Sequence, residues 1–304
     1  MRVWIQSAAT IRHAYGSRLP AENAYGSSRL HRSQSRHANQ FEKPVDAIKR
    51  PLTTTAPVAA SLSLRRWPAR LDFLQSASGL ALGLFMWVHM FFVSSILLGQ
   101  EAMWTVARMF EGYFIFGRPL YWLVSLLVAV IAGLFVLHAA LALRKFPANY
   151  RQYREYRDHL TQMKHEDTTL WYWQVVTGFA LFFLASVHLY IMLTHPDRIG
   201  PVESADRVWS DMMWPLYLVM LFAVEFHGGV GLYRVALKWG WFENGDPVAT
   251  RKKLRFYKWA LTAFFLVLGL ATLAAYIKIG IDHAPFYGQP YVPPAVAAAT
   301  GVAP

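Results

Sequence analysis

The chain has 304 residues, of which 55% are hydrophobic, 15% aromatic and only 16% charged, and the apolar ones gather into long runs. That excludes an ordinary soluble domain and marks a membrane protein. The lack of cysteine excludes disulfides and a thiolate-held iron–sulfur cluster on this chain, and the +12 charge, gathered in the N-terminal tail and in loops flanking apolar segments, fits positive-inside topology rather than nucleic-acid binding.

Residues 1–64 are polar, rich in Ser, Arg, His and Ala, and without helical or strand periodicity, so a disordered tail is expected. No apolar run follows the first arginine, which argues against a secretory signal, and Glu22, Glu42 and Asp46 argue against a mitochondrial-type presequence. The next methionine, Met86, lies inside the first apolar stretch. The tail therefore reads as a start-site artefact, with the true start at a non-Met codon near Leu52 or Val58.

Residues 65–281 form a five-span domain. The first span, 73–100, runs 28 residues without a charged side chain, longer than the roughly 30 Å hydrocarbon core requires. The others are expected at 119–143, opened by Pro119 and closed by Arg144 and Lys145, then at 168–196, 208–237 and 259–277. Segments 144–167 and 238–258 carry six Lys/Arg each, whereas 101–118 and 197–207 carry two each. This places the N-terminus and both basic loops in the cytoplasm and the C-terminus outside. Residues 149–163 suit a short interfacial helix, and 282–304 form a proline-containing tail without Lys or Arg.

Four of the spans carry one deep histidine each. His89 lies 16 residues into the first span and His188 lies 20 into the third, both inbound from the cytoplasm, so both occupy an outer layer roughly 24–30 Å from entry. His138 and His227 each lie 19 residues along spans that run the opposite way, and so share an inner layer. A single membrane histidine is more often a packing hydrogen bonder. Four of them, one per helix and matched in pairs by depth, point instead to axial ligands for two b-type haems in a four-helix bundle, with a fifth helix beside it. A zinc site would want its ligands at one level. Gly79, Gly83, Gly133, Gly178, Gly228, Gly229 and Gly231 would let a porphyrin approach the backbone. His195, at a membrane boundary, and His13, His31, His37, His159, His165 and His283, in polar or tail context, read as non-ligands.

Glu225 is a carboxylate inside the fourth span, about 200° round the helix from His227. It reads as a protonated packing group or as a proton relay. Glu111, in an outer loop with Trp104, Phe110, Tyr113, Phe114 and Phe116, reads from sequence as a surface acid.

Over residues 66–280 the stretches GLFMWVHMFFVSSILLG, RKFPANYRQY, DTTLWYWQVVTGFALFFLASVHLYIM and MWPLYLVMLFAVEFHGGVGLYR closely resemble the di-haem cytochrome b subunits of epsilonproteobacterial-type quinol:fumarate reductases, in the succinate:quinone oxidoreductase family. The resemblance implies that His89 and His188 ligate a distal haem and His138 and His227 a proximal one. It gives Glu111 the role of proton acceptor from menaquinol, and Glu225 that of proton relay. It puts Gln75, Ser76, Trp171 and Lys238 at the inner propionates and Arg207 at the outer ones. It further implies a bacterial inner-membrane anchor with a cytoplasmic iron–sulfur subunit and an FAD flavoprotein as partners, and a possible dimer of heterotrimers. Succinate oxidation with quinone reduction would use the same parts. In another class, a haem-free proton-coupled transporter would use the histidines and Glu225 as a proton path.

Overall fold

The computed structural model describes residues 56–163, 166–243 and 245–300, and among them the regular structure is helical throughout, with no strand. Chain contacts divide the protein into residues 1–67 and 68–304. The former is described only over 56–67, the opening of a helix, and the rest of this account concerns the latter. The start-site reading and most of the proposed tail lie outside the described residues. The helix nevertheless begins at Ala56, inside the segment read as tail: APVAASLSL places a proline in the first turn and good helix formers after it.

Among the described residues five helices are long and apolar enough to cross a bilayer, as the sequence predicts. The first is α1 (Ala56–Val93), extended by a 3-10 turn at Ser94–Leu98. A short helix, α2 (Gln100–Phe110), and the single turn α3 (Tyr113–Phe116) lead into α4 (Tyr121–Leu143). The amphipathic α5 (Tyr150–Met163) lies where an interfacial helix was expected. The third crossing is α6 (Glu166–Thr194).

The fourth span differs from its expected bounds. Instead of one helix from Val208, the chain forms α7 (Pro201–Trp209), turns through Met212 at φ 56°, and restarts as α8 (Trp214–Lys238) with Pro215 in its first turn. The left-handed residue ends one helix, and the proline, whose missing N–H costs nothing at a helix start, opens the next.

The fifth crossing, α9 (Pro247–His283), starts ten residues or more before the apolar run because Asp246 caps it, its Oδ1 accepting from the backbone N–H groups of Val248 (2.9 Å) and Ala249 (3.1 Å). Residues Lys258, Thr262, Phe265, Gly269, Thr272, Tyr276 and Gly280 recur every three or four positions and form its buried face. That face packs on α7 and α8. Thr272 Oγ1 donates to Ser94 Oγ (2.8 Å), tying α9 to the end of the first span, and Trp87 stacks on Phe265 with ring centres 5.4 Å apart. A final helix, α10 (Pro294–Thr300), lies in the C-terminal tail.

Candidate functional site

The four deep histidines meet as two pairs. His89 of α1 and His188 of α6 have ring centres 6.2 Å apart, and His138 of α4 and His227 of α8 have theirs 6.4 Å apart. Two imidazoles that share one metal at about 2 Å from each nitrogen, with roughly 1 Å more to each ring centre, stand about 6 Å apart. Both pairs match that spacing.

Hydrogen bonds orient the inner pair. Ser78 Oγ donates to Gln75 O (3.1 Å) and lies 3.1 Å from His138 Nδ1, so its oxygen is left to accept the imidazole N–H. His227 Nδ1 lies 2.9 Å from Gln174 O, and a carbonyl can only accept. Both rings therefore carry the proton on Nδ1 and keep the Nε2 lone pair for a metal, the arrangement seen in metal-ligating histidines. Each ring also rests on a glycine of a neighbouring helix. A Cβ at Gly79 would stand 2.8 Å from His138 Cε1, and one at Gly178 would stand 2.9 Å from His227 Cε1. In the outer pair His89 stacks on Phe85 (5.6 Å), Tyr217 meets His188 edge-on (5.7 Å), and the buried Nδ1 of His188 has no hydrogen-bond partner. The donor set, neutral imidazoles in twos, suits haem. Among the described residues no three His, Cys, Asp or Glu side chains converge.

At the inner end Ser76 and Lys238 come together around a residue that the sequence did not single out. Asp72 pairs with both Lys145 and Lys238, Lys238 Nζ donates to Ser76 Oγ (2.9 Å), and Gln75 Oε1 is buried without a partner. Trp171 packs edge-on against Tyr156 of α5 instead (5.1 Å). At the outer end Arg207 is buried, donates to Arg198 O (3.1 Å) and Ser204 Oγ (3.0 Å), and lies within reach of Tyr217 and His188. A cavity of about 220 Å³ beside it is lined by Ile191, His195, Arg198, Arg207, Asp211 and Met213.

Glu111 is not the surface acid that sequence alone suggests. It closes α2 at 1% exposure, with Oε2 held by Arg108 Nη1 at 2.5 Å and Oε1 without a partner. Its neighbours Phe110 and Gly112 are apolar, and beyond the turn at Gly112 the backbone N–H of Leu120 donates to the Glu111 carbonyl (2.9 Å). Burial pushes its carboxyl above the usual range, Arg108 draws it partly back, and the charge of Glu203 pushes it up further. Of the aromatics around it, Trp104 and Tyr113 pack together (6.0 Å), whereas Phe114 and Phe116 are exposed. Glu225 is also 1% exposed, with Oε1 unpartnered. It lies one turn before Gly229, where Lys258 and Thr262 of α9 approach, and so on the face turned from His227. Ser78, Gln174 and Asp72 were not found from the sequence. The first two act through a hydroxyl or a carbonyl whose partner is set by helix register, and only Asp72, a lone acid near a span end, carried a signal.

Residues 150–270 match the family model of the succinate dehydrogenase/fumarate reductase transmembrane subunit. The chain is 57% identical over 220 residues to a fumarate reductase cytochrome b subunit of Wolinella succinogenes, covering 72% of this chain and 85% of that one. It is 54% identical over 217 residues to the fumarate reductase cytochrome b subunit of Helicobacter pylori strain 26695, covering 71% and 83%. A succinate dehydrogenase hydrophobic membrane anchor subunit of Archaeoglobus fulgidus is 35% identical over 69 residues, 22% of this chain and 58% of that one.

Proposed function

Because the chain belongs to the fumarate reductase cytochrome b subunits, we propose that it anchors such a complex in the bacterial inner membrane and conducts electrons from menaquinol to an iron–sulfur subunit and an FAD flavoprotein that reduces fumarate. The observation that carries this reading is the pair of imidazole pairs at metal-sharing distance. Haem b bound within each pair supplies reversible one-electron transfer. His89 and His188 hold the distal group, and His138 and His227 the proximal one. The Nδ1 hydrogen bonds of the inner rings fix the tautomer that leaves Nε2 for iron. Gln75, Ser76 and Lys238 would meet the inner propionates and Arg207 the outer ones, each as a hydrogen-bond donor, and Trp171, which packs on Tyr156, would have to turn to join them.

The chain's acids handle protons. Glu111, enclosed but with one oxygen unpartnered, takes the quinol's proton near the outer face. Glu225, on the helix face away from its neighbouring histidine, serves as a relay between layers. The N-terminus lies in the cytoplasm, and the basic segments 144–167 and 238–258 dock the iron–sulfur subunit there.

Alanine substitution tests the ligand assignment. His89→Ala and His138→Ala should each lose one of two b haems and abolish quinol-driven fumarate reduction. Full haem content in both variants would refute the assignment.

A further inference from the structure

A cation stands in the seam that orients the inner imidazole of α8. His227, Gly231 and Arg234, spaced by four and then three positions, share one face of α8, and Gln174 and Gly178, four apart, meet that face from α6, on which α8 packs. Gly178 admits the His227 ring, and Gly231 leaves room for the Gln174 amide, since a Cβ there would stand 3.1 Å from Gln174 Nε2. Gln174 then spans the seam with two acceptors. Its backbone carbonyl accepts from His227 Nδ1 (2.9 Å), and its Oε1 accepts from Arg234 Nη1 (2.7 Å). Arg234 is thus joined to the imidazole through one residue, and it lies two turns, about 10 Å, further along the same helix.

We propose that Arg234 is a positioning residue that sets the redox poise of the inner centre: its guanidinium holds Gln174, and through it His227, while its fixed positive charge favours the reduced state. This rests on the inner pair holding haem. Reduction there adds one electron, which comes from quinol by way of the outer pair, and it breaks no bond. The charge at the centre falls by one unit, so a cation held nearby stabilises the product over the reactant. On the proposed function this is the centre from which electrons leave for the iron–sulfur subunit, and a raised affinity for an electron draws it forward.

The surroundings leave that charge in force. Arg234 is half-buried, where solvent screens it less than at the surface. Asp167 is the carboxylate whose charge reaches it, but Asp167 is shared with Arg251 (3.3 Å), Arg255 (3.9 Å) and the Tyr233 hydroxyl (3.1 Å). Tyr156, also near, is a phenol and uncharged at neutral pH. Arginine suits the position because its pKa keeps it charged at any working pH and its planar fork fixes the Gln174 amide.

The test is a redox titration of the purified complex containing the full chain, followed by haem absorbance, for the wild type, Arg234→Gln, Arg234→Lys and Gln174→Glu. The inner haem is identified as the one missing from His138→Ala. Arg234→Gln keeps a donor for Gln174 but loses the charge, and at a fixed potential should lower the reduced-to-oxidised ratio of the inner haem by roughly threefold or more, with the outer haem less affected. Arg234→Lys keeps the charge and should stay close to the wild type. Gln174→Glu keeps the carbonyl that holds His227 and sets a carboxylate against the guanidinium, and should lower the same ratio. An unmoved inner ratio in Arg234→Gln, or an equal fall in Arg234→Lys, overturns this inference alone. If Arg234→Gln does not assemble, Gln174→Glu decides in its place by the same fall or its absence. Two haems still bound in His138→Ala would instead overturn the ligand assignment on which the proposal rests.

Discussion

A glycine beneath each inner imidazole decides how near the ring can come to the next helix. At Gly79 and Gly178 an added Cβ would lie 2.8 and 2.9 Å from the ring carbon of His138 and His227, closer than real side chains tolerate. Gly79→Leu or Gly178→Leu should displace the inner imidazole and lower the haem count from two to about one while the outer pair keeps its ligand, read by pyridine haemochrome. Ser78→Ala removes the acceptor for His138 Nδ1 and should weaken inner haem retention by roughly 10-fold or more, measured as haem loss in detergent. The enclosed Glu111 carries a pH consequence. Its folded-state proton affinity is raised, and only the ionised form accepts a proton. Quinol oxidation should therefore fall as pH drops at values where an ordinary carboxylate is still ionised. Glu111→Gln should remove quinol oxidation by about 100-fold or more while dye-driven fumarate reduction in the complex persists. An equal fall in both activities would make the residue structural.

At the scale of the elements, the five long apolar helices and the short amphipathic helix at Tyr150–Met163 were legible because length and hydropathy decide them, and the pairing of the histidines follows from the direction each helix travels. Four things were not. The break between α7 and α8 turns on Met212 in the left-handed region, and the only sequence sign of it was Pro215. The early start of α9 depends on Asp246 accepting two backbone N–H groups, a local contact that outweighs the polar run RKK after it. Asp246→Ala should cost about 1 kcal/mol and fray the first turn of α9, seen as faster amide exchange there. The C-terminal tail lacks periodicity, yet backbone N–H groups of Gly288 and Tyr291 dock it on Asp206 and Glu203, and a backbone donor leaves no residue signature. The burial of Glu111 was hidden as well: a carboxylate at the end of a short helix reads as a surface acid until the folded chain encloses it and Arg108 takes one of its oxygens.

Across the whole molecule, α1 and α6 supply one histidine pair and α4 and α8 the other, so each layer draws on two different helices and the layers follow one another through the bundle. On the function proposed, Glu225, turned toward α9, and the enclosed Glu111 would handle protons apart from the imidazole pairs that would carry electrons. That separation suits a subunit that takes both from a quinol and sends them in different directions. The direct test is the haem count of the purified complex, from a dithionite-reduced minus oxidised spectrum with pyridine haemochrome quantification. The account predicts about two b haems for each copy of this chain. A folded, assembled complex without haem would contradict it and leave the four imidazoles as proton carriers.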